Sequence, residues 1–108
     1  MNLKLSFADK VDEIDCKTTT MGVNFKGTSS SFTKTKAGHT CQAWNSQKPH
    51  THSMTNDDFP EGSIDIAKNY CRNPKGYRLS PWCFIVNGTE NGKNWEECNI
   101  PTCTAATG

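Results

Sequence analysis

The stretch that decides the fold runs from Asn69 to Cys103: NYCRNPKGYRLSPWCFIVNGTENGKNWEECNIPTC. Four of the chain's six cysteines fall in it, at 71, 83, 98 and 103. The piece CFIV runs into Asn87-Gly88 and Asn91-Gly92 before Trp95. Asn-Gly supplies the positive φ angles of a tight reversal, so a two-stranded hairpin is predicted between Trp82 and Glu97. Outside it the chain shows many Gly, Pro, Asn, Ser and Thr breaks and no convincing helical periodicity. Hairpins and loops are the expected architecture.

Working outward, the remaining cysteines stand at 16 and 41. Only 33% of the 108 residues are hydrophobic, a thin supply for a self-sufficient core. An even set of six cysteines reads as a disulfide framework that offsets the weak core. The competing reading, a zinc site, calls for short paired spacings near histidine, and only Cys98 and Cys103 lie close together, with no histidine beside them. No metal or cofactor is expected. Disulfides imply an oxidising compartment, so a secreted protein, or the extracellular part of a larger one, is expected. The N-terminus lacks the apolar core of a signal peptide, which places the export signal upstream of Met1. A net charge of +1 gives no general argument for nucleic acid or membrane surfaces, and no apolar run is long enough to insert in a membrane.

Residues 1–15 read as an N-terminal linker, or as an added strand in which Leu3, Leu5 and Phe7 alternate with polar residues. Residues 104–108 read as a C-terminal linker. Between them the motifs follow in order: GVNFKGT (22–28), CQAW (41–44), PHTH (49–52), NYCRNP (69–74), SPWCF (80–84) and WEECNIPTC (95–103). Each is weak alone, but the series over residues 16–103 resembles a kringle domain. The resemblance implies a small disulfide-rich fold of β-hairpins and loops. It also implies the pairing Cys16–Cys103, Cys41–Cys83 and Cys71–Cys98, which spacing alone does not select. Slightly long gaps before Cys41 and between Cys83 and Cys98 read as loop insertions, which entropy tolerates.

Many kringles bind lysine-like ligands in a shallow aromatic trough, with an anionic pair at one end and cations at the other. In the lysine-binding members the anionic pair is Asp-x-Asp directly after CRNP, whereas this chain has Lys75-Gly76-Tyr77 there. The family's cationic positions fall on Met54 and Asn94, with Lys93 one residue away. The aromatic floor is kept as Trp82, Phe84 and Trp95, and a rim of Lys75, Tyr77 and Arg78 is expected beside it. The resemblance thus implies a groove of kringle shape that has lost lysine affinity and prefers a hydrophobic, acidic or sulfated partner.

Other residues carry an ordinary reading beside a functional one. Trp44 belongs to the core, while Trp82, Phe84 and Trp95 divide between core and groove. His50 and His52 alternate, as a ligand pair or pH sensor would, but they fall in a structural segment of the family, which favours packing. His39 has no obvious partner. Lys68, Arg72, Lys75 and Arg78 form a basic stretch that suits heparan-type glycosaminoglycan, or simply a solvated face. Asn87-Gly88-Thr89 is an N-glycosylation sequon at the expected hairpin tip. No G-x-S-x-G, no H-E-x-x-H and no cysteine left over after pairing offers a nucleophile or metal site, so no catalysis is expected. The expected role is that of a monomeric module binding an extracellular protein partner. Two alternatives stay open at this point: a lysine-binding kringle of a plasminogen-like protease, and a free-standing secreted modulator or defence peptide.

Overall fold

A computed structural model describes residues 15–87 and 92–103. The predicted hairpin is present as strands β1 (Trp82–Phe84) and β2 (Trp95–Glu97), antiparallel, with Trp82 opposite Glu97 and Phe84 opposite Trp95. The expected strand at Asn2–Phe7 lies outside the described residues, as do Gly88, Thr89, Glu90 and Asn91 of the hairpin tip. Single-residue bridges extend the sheet beyond β1. Arg72 pairs with Trp82 and Cys41 with Ile85, while Lys17 and Thr102 bring the ends of the domain together.

Three disulfides hold this framework: Cys16–Cys103, Cys41–Cys83 and Cys71–Cys98. The outer bridge closes a sequence separation of 87 residues. The two inner bridges touch, with Cys41 Sγ 3.9 Å from Cys71 Sγ. The four inner sulfurs lie within 4.8 Å of one another, joined pairwise as disulfides. Around them packs an aromatic core in which Trp44 meets Phe59 and Trp82 at 5.1 Å each, edge to face. Trp44 is buried and donates its indole N–H to the Tyr70 carbonyl at 2.7 Å, which satisfies its one polar atom.

Regular structure elsewhere is brief, because turn-forming side chains keep capturing the backbone. Ser29 and Thr55 open 3-10 turns at Ser30–Thr33 and Asn56–Asp58. One helical turn that the periodicity gave no sign of, α1 (Ile64–Ala67), forms because the Ser63 side chain accepts from the Ile66 N–H. A third 3-10 turn, Pro74–Gly76, carries the segment between CRN and β1. There Lys75 (φ 60°) and Gly76 (φ 62°) both lie in the left-handed region. The Asn73 side chain fixes this loop: its amide donates to the Met21 and Arg78 carbonyls at 2.7 and 2.8 Å, and its oxygen accepts the Arg78 N–H at 3.0 Å. The side chain that stands over β1 and β2 is therefore positioned by the Asn73 amide.

Candidate binding site

Residues on one face of a strand share an environment, so Trp82 and Phe84 point to the same side of β1. Trp82 is nevertheless fully buried, enclosed by Trp44 at 5.1 Å, Phe84 at 5.0 Å and Trp95 at 6.0 Å. It supports the groove from beneath and offers no surface to a ligand. Phe84 and Trp95 are half-buried and reach the surface.

Arg78, expected on the rim, lies in the groove instead. Its guanidinium carbon is 3.5 Å from the centre of the Trp95 ring and 4.5 Å from that of Trp82. This cation–π stack follows from the Asn73 clamp on the Arg78 backbone together with the ring quadrupoles. Burial pushes the Arg78 pKa below its ordinary value, while Tyr77 and Glu97 act in the opposite direction. Arginine stays charged at neutral pH.

Next to Phe84 lies a cavity of about 260 Å³ bordered by His52, Met54, Asp58, Lys75, Tyr77 and Phe84. His52 stacks on Phe84 with ring centres 5.5 Å apart, and its Nδ1 accepts the Met54 N–H at 3.1 Å. His50 flanks the same ring at 6.0 Å and donates Nε2–H to the Ile85 carbonyl at 2.8 Å. The two histidines thus bracket Phe84. Asp58 accepts the Thr55 N–H through Oδ2 at 2.8 Å and faces Lys75 Nζ through Oδ1 at 3.6 Å. The carboxylate in the cavity is therefore matched by the chain's own ammonium group. Tyr77 is 67% exposed and Leu79 76%, which leaves apolar surface along the outer lip.

The sequence model described as "Kringle domain" matches residues 16–103, well over half of the chain. The chain belongs to the kringle family. Kringles are in general protein-binding modules, non-catalytic and typically extracellular. Among the described residues no helix is long and apolar enough to cross a membrane.

Within this kringle the expected groove residues therefore separate. Phe84, Lys75 and Tyr77 share one cavity, Arg78 stacks on Trp95, and Trp82 underlies both. The four cations of the basic stretch do not present one face. Arg72 is fully buried, donating to Glu61 Oε2 at 2.8 Å and to the Cys71 carbonyl at 2.7 Å, while Lys75 turns to Asp58 and Arg78 to Trp95. Asn87 is exposed, with the rest of its sequon outside the described residues. His39 proves to have a partner: its Nδ1 lies 2.7 Å from Glu96 Oε1, which also accepts from Thr35 Oγ1 at 2.7 Å. Sequence reasoning missed His52 and Asp58 as cavity residues. The ring contact of His52 with Phe84 spans 32 positions, and no local motif announces it.

Proposed function

We propose that this kringle is a secreted, monomeric recognition module that does not bind lysine side chains and takes an acidic or sulfated group of an extracellular protein partner. The observation that carries the reading is the Arg78 guanidinium 3.5 Å above Trp95. A ligand ammonium group placed on that ring would meet a resident cation, and the position of the family's anionic pair holds Lys75 and Tyr77. At such distances like charges repel by about 1 kcal/mol in water and by several kcal/mol in a partly dry site. The cavity beside Phe84 and Met54 suits an apolar stem, and Lys75, whose side chain stays 62% exposed while it faces the 8% exposed Asp58, turns its open side to an anion. An aromatic sulfate joins both features. Exposed Asn87 carries an N-linked glycan in this reading.

The test is a two-dimensional amide NMR titration of the oxidised domain with 6-aminohexanoic acid and, separately, with N-acetyl-O-sulfotyrosine amide. Saturable shifts near Phe84, Tyr77 and Lys75 are expected with the sulfate alone. Binding of 6-aminohexanoic acid at about 100 μM or tighter would refute the reading.

A further inference from the structure

Two segments far apart in the sequence run side by side. The Asn73 amide donates to both the Met21 and the Arg78 carbonyls, which ties residues 21 and 78 to one anchor. A Cβ placed on Gly76 would stand 3.2 Å from Val23 Cγ1 and 3.3 Å from Met21 Cε, and one placed on Gly22 would stand 2.8 Å from Pro81 Cγ. Lys17 continues the row, its Nζ donating to Ser80 Oγ at 3.2 Å. Segments 17–23 and 76–81 therefore share one surface.

That surface carries apolar side chains left open to water. Met21 is 39% exposed, Tyr77 67% and Leu79 76%, three of the five large hydrophobic residues exposed among the described residues. In a module with so thin an apolar supply, leaving three of them on one surface forgoes their transfer energy, and such clustering marks a contact surface. Tyr77 also borders the Phe84 cavity, whereas Met21 and Leu79 do not.

The same chain supplies a cover of matching chemistry. Leu3, Leu5 and Phe7 alternate with polar Asn2, Lys4 and Ser6, so in an extended segment the three apolar side chains share one face and call for an apolar surface opposite. The route between them is short. Residues 8–15 join this segment to Cys16 and reach about 25 Å when extended. Directly after Cys16 comes Lys17, whose side chain lies on Ser80, the neighbour of Leu79. A segment tethered so close meets the surface at an effective concentration on the order of millimolar, an advantage that a separate partner lacks. We infer that residues 3–7 dock across Met21, Tyr77 and Leu79 of their own chain. The contact rests on apolar burial and on no charged group, and it stands or falls separately from whatever the Phe84 cavity takes.

The test is NMR on the full oxidised chain. Nuclear Overhauser contacts are expected from the Phe7 ring to the Leu79 methyls and from the Leu3 and Leu5 methyls to the Met21 methyl. The variant Leu3→Ser, Leu5→Ser, Phe7→Ser should shift the amides of Met21, Tyr77 and Leu79 while the Trp44 and Trp82 indole resonances stay in place. Leu79→Ser, at a position 76% exposed and outside the core, should abolish the contacts and shift the Phe7 amide without moving those indoles. Absence of the contacts in the parent, or triple-variant shifts confined to residues 15–17, would overturn the inference. So would contacts found only between differently labelled molecules in a mixed sample, which would assign the surface to a second copy of the chain.

Discussion

Replacing Arg78 by methionine keeps an apolar stem on Trp95 and removes only the charge and its donors. The guanidinium stands 3.5 Å from the Trp95 ring centre and 4.5 Å from that of Trp82, and a partly desolvated cation–π pair contributes about 1–2 kcal/mol. Against this, Arg78 Nε is buried with no acceptor, which costs about 1 kcal/mol. The net loss in Arg78→Met is therefore about 0.5 kcal/mol. At an unfolding entropy of about 2 cal/mol/K per residue, that corresponds to a fall in Tm of roughly 2–3 °C. Differential scanning calorimetry of the oxidised protein measures it. In parallel, the Trp95 indole resonance should move, and 6-aminohexanoic acid should still fail to bind, because Lys75 remains where the family's anionic pair stands. An unchanged Tm together with an unmoved Trp95 resonance would refute the stack. A gain of lysine-analogue binding at or below 100 μM would show that Arg78 alone blocks the groove and that the charge at Lys75 is irrelevant.

Removing the outer bridge with Cys16→Ala and Cys103→Ala should cost about 4.5 kcal/mol by loop entropy over its separation of 87 residues, read from urea unfolding. The fold should survive in that variant, because Lys17 and Pro101 still join the ends at 2.9 Å. Lys68 sits at φ 45°, ψ −127°, a conformation that glycine adopts without strain, so Lys68→Gly should raise stability by about 1 kcal/mol in the same assay. Arg72→Met strands the Glu61 carboxylate and should cost about 3–5 kcal/mol, whereas Arg72→Met combined with Glu61→Leu should recover most of that loss. Burial acts to raise the Glu96 pKa, but hydrogen bonds from His39 and Thr35 and the charges of His39 and Lys93 outweigh it, leaving the carboxyl below its ordinary 4.5. A carboxyl with a depressed folded-state pKa stabilises the fold above its unfolded value, and that contribution disappears as pH falls through the folded value. The difference in urea midpoint between the parent and Glu96→Gln should therefore close as pH falls below 4.5.

What could be read from the sequence is what local chemistry encodes. Asn-Gly pairs mark the reversal between β1 and β2, and the cysteine and tryptophan series carries the family and, through it, the disulfide pairing. Groove membership was only partly legible. Alternation places Trp82 and Phe84 on one face, but exposure depends on what covers that face. The covering side chain, Arg78, is set by the Asn73 amide, a residue whose place in NYCRNP gives no hint of that task. Counting cations along 68–78 failed for a similar reason. Arg72 finds Glu61 eleven positions away and turns inward, so a run of like charges in sequence is not a patch in space. The pairing of His39 with Glu96 spans 57 positions, beyond the reach of any local motif.

The substitutions that separate this kringle from the lysine-binding pattern are connected by their electrostatics. With Lys75 and Tyr77 where the anionic pair would be, an ammonium ligand has no counter-charge, and an empty groove would leave the Trp95 face to water at the cost of its apolar area. Arg78 covers that face, and the field of Glu97, on the same strand as Trp95, acts to raise the Arg78 pKa. Asp58, which is the nearest carboxylate in the adjoining cavity, is matched in turn by Lys75. Reversing any one of these charges alone therefore leaves another unbalanced. Restoring aspartate at 75 and 77 while Arg78 stays in place should create a new internal pair and not a lysine site. On the proposed reading, lysine affinity requires Lys75→Asp, Tyr77→Asp and Arg78→Ala together, and affinity from the double aspartate variant alone would show that the stack on Trp95 yields to ligand.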